Sequence, residues 1–341
     1  MTITDVARLA QEADARYQQI EVEIPALKIG AEEIRIEGEP FSFSAEARER
    51  VYSIVTAPAT FMRPLSPRLQ AEILTEVFHR DTWGNRLSVA LCGAEVFSIF
   101  RGGLGRLGQF DVVTAVSEAL GDDVHSLSVT RIVSNADQLD VDLATPRKSV
   151  DVRTGDTVRG GFHISHSIFG KQATSIEMFT HRLVCLNGMI HRDCPSQSGA
   201  SRTRKLPANH PNGRELQMEQ VRRLTAQAWE QLEPVLAELK ATQERKADVE
   251  NVLTGWLQRA RISTEAMLPR LKEAWQQDGG ENTQYAAINA LTRVATHRED
   301  VSVRQRRTLA SLAGLLAFSN VHICPRCFTV LSQNTTDGAD S

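Results

Sequence analysis

From Arg86 to Asn187 apolar and polar residues alternate in short runs, and this constrains the fold more than any other stretch of the chain. The runs are RLSVALCG, EVFSIF, HSLSVTRIV, QLDVDLA, SVDVRTG, GFHISHSIF and TSIEMFTHRLVCLN, parted by Gly, Asn or Asp. A period of two puts apolar side chains on one side of an extended strand and polar ones on the other. A single helical pattern, about 110–120, interrupts the series. Many strands, short links and one helix predict a mixed or antiparallel sheet, hence an α+β fold and not repeating βαβ units. Asn187-Gly188 reads as a turn that needs positive φ.

The flanks differ from this centre. In the N-terminal segment, QIEVEI and EEIRIEGE alternate like strands. Two helices follow. One is opened by Ser44 as N-cap and the other by Ser66-Pro67, where proline at the first helical position loses no bond. After the centre, 195–213 is polar, Pro/Gly-containing and basic, and reads as a linker loop. Leu216, Val221, Leu224, Trp229, Leu232, Leu236 and Leu239 then mark an amphipathic helix that contains Pro234. Further helices are predicted over 247–261, 264–277, 282–297 and 303–318. The expected organisation is 1–84 with strands and two helices, 85–194 as a sheet domain, the 195–213 linker, a helical region over 214–320, and a 321–341 tail with a disordered end.

Net charge is −3, which gives no whole-molecule attraction for nucleic acid or membranes. The distribution is uneven. Residues 1–50 carry 11 acids and 6 bases, whereas 156–215 carry 8 bases and 4 acids. No window reaches the ~20 apolar residues of a membrane span, and the acidic start has no leader-like apolar run. Five scattered cysteines then read as reduced thiols, and a cytoplasmic location is expected.

Two ordered motifs carry a resemblance. The first runs Gly155-Asp156, Val158, Gly161, Ile164, Ser167, Gly170, then Arg182-Leu183-Val184-Cys185 and Asn187-Gly188. The second is Thr283, Tyr285, Asn289-Ala290, Thr292 and His297. Together they resemble the phage/plasmid-like family classed as domain of unknown function 932. The resemblance implies an α+β fold and a mobile-element setting, in which single-strand annealing or other DNA handling is an expected role. At one turn the chain has His166-Ser167 where the family has Asn-Ser.

Several constellations bear on chemistry. Gly103, Gly105 and Gly108 match G-x-G-x-x-G between a strand and a helix, where backbone N–H groups can hold a pyrophosphate. The antiparallel setting and the lack of a suitably placed acid favour a plain Gly-rich turn. His163 and His166, three apart on a strand, face opposite sides and are not a ligand pair; one is expected to pack in the sheet while the other is available to solvent or a ligand. His181, Cys185, His191 and Cys194 cluster in sequence, but an extended chain holds His181 and Cys185 about 13 Å apart. Cys324-Pro-Arg-Cys327, with His322, has the turn shape of half a zinc knuckle, so zinc is the cofactor to consider. Two reduced surface thiols are the plain alternative. Asn289, Thr292 and His297 fall on one helical side and, with His163, His166, His181 and Asn187, make a polar cluster. A buried hydrogen-bonded network is the structural account of it.

The expected function is non-enzymatic nucleic-acid binding, with single-stranded DNA as one partner, through Arg182, Arg192, Arg202, Arg204, Lys205 and Arg214, in a homo-oligomer. Two alternatives stay open. One is a metal-dependent enzyme acting on nucleic acid through His163, His181, His191 or the cysteine pair. The other is a protein-binding module, such as an anti-defence inhibitor, in which the acidic N-terminal segment imitates phosphates.

Overall fold

The computed structural model describes residues 1–55, 59–80, 85–101, 107–134, 138–168, 174–183, 187–191, 213–317, 322–323 and 330–331. The chain opens with helix α1 (Ile3–Asp14), closed at its start by a capping box in which Thr2 and Asp5 satisfy each other's backbone N–H. Strands β1 (Gln18–Glu23), β2 (Leu27–Ile29), β3 (Glu33–Ile36) and β4 (Glu39–Ser42) follow. Next come α2 (Ala45–Ile54), the short α3 (Ala59–Met62) and α4 (Pro67–Phe78). Ser44 and Ser66 cap α2 and α4 through their hydroxyls. Strands β5 (Arg86–Cys92) and β6 (Glu95–Arg101) complete a six-stranded sheet of order β1-β5-β6-β4-β3-β2. Its core face, with Ile34, Val89 and Ile99, packs on Val51, Tyr52, Leu74 and Phe78 of α2 and α4.

The expected boundary at 84 is therefore corrected. The strands of 86–101 pair with β1 and β4 of the N-terminal segment, not with the strands that follow them. Local alternation identifies a strand but not its partner, so the misplacement is one of pairing.

After α5 (Gln109–Leu120) the second sheet begins: β7 (Ser128–Ser134), β8 (Gln138–Arg153), β9 (Asp156–Ser167), β10 (Ser175–Arg182) and β11 (Asn187–His191). All pairs are antiparallel, in the order β11-β10-β9-β8-β7. QLDVDLA and SVDVRTG, read as two runs, are one 16-residue strand whose register shifts between Thr145 and Ser149, around Pro146. A bulge is where a sheet tolerates a residue without an N–H. Asn187-Gly188 is not a turn but the start of β11, facing Arg182 and His181 across the ladder.

The helical half consists of α6 (Gly213–Ala241), α7 (Val249–Arg259), α8 (Thr264–Gln277), α9 (Gln284–His297) and α10 (Val303–Ala317). Helix α6 continues through Pro234. One face of the second sheet is apolar and covered along its whole length. At one end Leu139, Val141, Leu143, Phe162, Ile164 and Met178 meet α1, α5 and α6. At the other end Val158 and Met189 meet the α7–α10 bundle. The architecture is α+β, with mixed and antiparallel sheets in the first half and helices in the second.

Candidate functional site

Residues directly opposite one another in an antiparallel ladder share a face. In register, Asp142 of β8 faces His163 of β9, and His163 faces Glu177 of β10. One step along, Asp140 faces Ser165, and Ser165 faces Ser175. This is the face opposite the apolar one, and it is buried: Asp142 is 6% exposed, His163 3% and Glu177 1%. Asp142 accepts from both sides, from His163 Nδ1 at 2.5 Å and from Arg131 Nε at 2.6 Å. Burial alone would push the Asp142 carboxyl up, but His163 and Arg131 together hold it below the usual carboxylate range. Asp142 is thus an ionised orienter that fixes the His163 ring. Nε2 of His163 has no hydrogen-bond partner among the described residues. Asp140, Asp142 and Glu177 were not singled out in the sequence. The available signal was the D-x-D of QLDVDLA, which puts two carboxylates on one face at a period of two.

His166 lies on the apolar face, opposite Leu139. Both its ring nitrogens are engaged, Nδ1 with Thr174 Oγ1 at 2.9 Å and Nε2 with the Leu107 carbonyl at 3.1 Å. Neither His163 nor His166 faces solvent, since both are 3% exposed. That corrects the expectation for this pair. His181 is also buried, its ring stacked on Phe179.

Arg182 is not on a surface that a polyanion reaches. Its side chain is 5% exposed. Nε and Nη2 each donate to Asp156 at 2.7 Å, and Nη1 donates to Asp278 at 2.9 Å. Tyr285 Oη donates to the same Asp156 carboxylate at 3.3 Å. Burial pushes the Tyr285 phenol up, against the pull of the neighbouring Arg182 cation. Asp156 and Arg182 belong to the first motif and Tyr285, Asn289 and Thr292 to the second, so the two motifs meet here. Asn289 and Thr292 are buried, and Thr292 Oγ1 donates to the Asn289 backbone carbonyl at 3.1 Å. His297 does not join them. It is exposed at the C-terminal end of α9, because the helix carries its last turn out of the core.

Arg214 is also paired, its guanidinium forked on the Asp111 carboxylate through Nε at 2.9 Å and through Nη2, but its side chain is 61% exposed, unlike that of Arg182. Asp111 also accepts the Gly108 N–H at the start of α5. The next two N–H groups, of Gln109 and Phe110, donate to Asp14 at 2.9 Å each. Burial pushes the Asp14 carboxyl up, partly offset by these two bonds. The helix end that a G-x-G-x-x-G loop would offer to a phosphate is therefore occupied by a carboxylate of this chain. Gly103 and Gly105 lie outside the described residues.

Arg192, Arg202, Arg204, Lys205, Cys185, Cys194, Cys324 and Cys327 lie outside the described residues, as do the side chains of Asn187, His191 and His322. Among the described residues no three His, Cys, Asp or Glu side chains converge as metal ligands, and no helix is long and apolar enough to cross a membrane.

Fold and site together define an α+β protein whose second sheet is apolar on one side and buried-polar on the other. Residues 124–313 match the model of the family described as Domain of unknown function (DUF932), and the chain belongs to that family. It matches no curated protein and no solved structure.

Proposed function

We propose that the polar face of the second sheet is an acid–base site, that His163 is its proton-transferring group, and that the protein is an enzyme. The Asp142–His163 pair supports this. An orienter bonded to Nδ1 fixes the tautomer and leaves Nε2 to exchange a proton. A purely structural role accounts poorly for the row. Buried ion pairs stabilise little once desolvation is counted, and apolar residues of similar volume would serve as well or better. Diethylpyrocarbonate, which modifies a free imidazole nitrogen, tests the assignment on the native protein. His163 and His166 are both 3% exposed, so both react only as the fold opens transiently, and His163, whose Nε2 has no partner among the described residues, is expected to react first. A His163 that reacts no faster than His166 would remove the acid–base site.

Nucleic-acid binding is the second reading, and the density of cations in 192–205 favours it. Arg192, Arg202, Arg204 and Lys205 fall within 14 residues. Four phosphate contacts to a single strand give log K against log salt a slope of about −3. A gel-shift series from low to physiological salt measures it, and no binding at the lowest salt excludes the role.

A further inference from the structure

The end strand of a sheet presents unpaired backbone N–H and C=O groups to any strand that can reach them. Folded chains guard such an edge with charge, shortness or a covering element. Of the four end strands of the two large sheets, three carry a guard. β2 is 3 residues long. β1 bears Glu21 and Glu23. β11 lies against α9 and α10, with Met189 in their core. β7, SVTRIVS, has neither a carboxylate nor a proline, and its one cation, Arg131, is tied to Asp142 of its own sheet. Met1 and Thr2 occupy the start of its open side, where the Val129 N–H donates to the Met1 carbonyl and Thr2 bridges Ser128. A register shift follows at Thr130. From 131 to 134 the outward backbone has no partner among the described residues. Exposed apolar side chains gather at this edge: Val133 itself, 44% exposed, Met1, and Phe110 next to the Gln109 that accepts from Ser134 Oγ.

We propose that β7 is an interface for a second copy of this chain, and that two β7 strands join antiparallel about Ile132, making one continuous sheet of two five-stranded halves. A two-fold axis across such a join requires the antiparallel sense and makes every pairing reciprocal. The register about Ile132 is self-complementary. Thr130 falls opposite the partner's Ser134, Arg131 opposite the partner's Val133, and Ile132 opposite its own equivalent. No like charges oppose one another, and hydroxyl meets hydroxyl. The two halves also match in charge. Across its own ladder Arg131 faces Asp142, and Val133 faces Asp140. Residues opposite one another share a face. One row of the joined sheet therefore reads Asp142, Arg131, the partner's Val133, the partner's Asp140. The Arg131 side chain, 46% exposed in the single copy, then has a carboxylate along the row on either side. An extended peptide of another protein would gain the same main-chain bonds but not these reciprocal rows. Nothing in the join requires His163 to transfer protons.

Sedimentation velocity of the unaltered chain, from low to high concentration, is expected to show a monomer–dimer equilibrium. Hydrogen exchange at the two extremes locates the contact. Those backbone amides of 131–134 that point away from β8 are expected to exchange more slowly at the high concentration. Val133→Lys sets a lysine opposite Arg131 of the partner subunit and puts a charge on the bare edge. It is expected to raise the dimer dissociation constant about tenfold or more. Val133 is exposed, so the single copy should keep its fold, and a thermal melt checks this. Gln18→Lys, on the edge strand β1, is the control and is expected to leave the dissociation constant unchanged. A monomer at every concentration overturns the proposal. So does a dimer whose 131–134 amides exchange as fast as those of the monomer, or one that Val133→Lys does not weaken. Should Val133→Lys fail to fold, hydrogen exchange of the unaltered chain still decides.

Discussion

Arg182→Met is expected to lower the free energy of unfolding by about 3–5 kcal/mol, the cost of stripping one partner from a buried ion pair. Methionine is unbranched and apolar and replaces the aliphatic stem of arginine, so the main loss is that of the guanidinium and its bonds. What changes is the state of Asp156, whose side chain is 3% exposed, and of Asp278, at 11%. Both carboxylates then rely on Arg153, at 3.3 Å from Asp156 and 3.9 Å from Asp278, and on the Tyr285 hydroxyl. Arg182→Lys is expected to recover only a fraction, because a point charge cannot reproduce the fork on Asp156 while also reaching Asp278. Urea unfolding measures the midpoint in each case. Adding Asp156→Asn to Arg182→Met should restore part of the loss, since it removes a charge left without its main partner. A midpoint unchanged in Arg182→Met would show that the Asp156–Arg182–Asp278 cluster is stabilised from elsewhere and does not hold the sheet to the helices.

Gly161→Ala is expected to cost at least about 3 kcal/mol, at or beyond the upper end for overpacking. A Cβ on Gly161 would collide with the Leu143 carbonyl oxygen and come within 2.7 Å of the Ala144 Cα. Both are backbone atoms of β8, and β9 is the middle strand of five, so it cannot move away from one neighbour without opening the ladder to the other. The adjacent Gly160 is the control. There an added Cβ meets the tips of Leu232 and Leu236 at 3.3 and 3.4 Å, on the opposite face. Those side chains can give by a few tenths of an ångström, and Gly160→Ala should cost far less. Thermal melts of the two variants side by side check the difference. Equal melting temperatures would mean that β8 and β9 are held apart more loosely than the register implies.

Much of this fold was legible because it is written in local periods. The Ser44 and Ser66-Pro67 helix starts, the lone helix α5 and the four helices after α6 all follow from caps and 3.6-residue spacing. What could not be read were relations between distant segments. The pairing of β1 with β5 spans some sixty residues, and Asp14 caps a helix that begins 95 residues later. The same limit applies to the site. Arg182 and Arg214 look like free cations in a basic stretch, because the carboxylates that neutralise them, at 156 and 278 and at 111, come from other elements. His163 was visible as a candidate, but its partner Asp142 was not, since only the register of β8 on β9 brings them together.

Helix α1 leaves the first sheet's neighbourhood to lie on α5 and the second sheet, where Ile3, Val6 and Ala10 join Val112, Val113 and Val116. The family match starts at 124, after both helices. A fragment cut at the edges of that match would lose two of the helices that roof the apolar side of its own sheet, and would be expected to clump. In this chain a piece of that roof is supplied from the far end of the polypeptide.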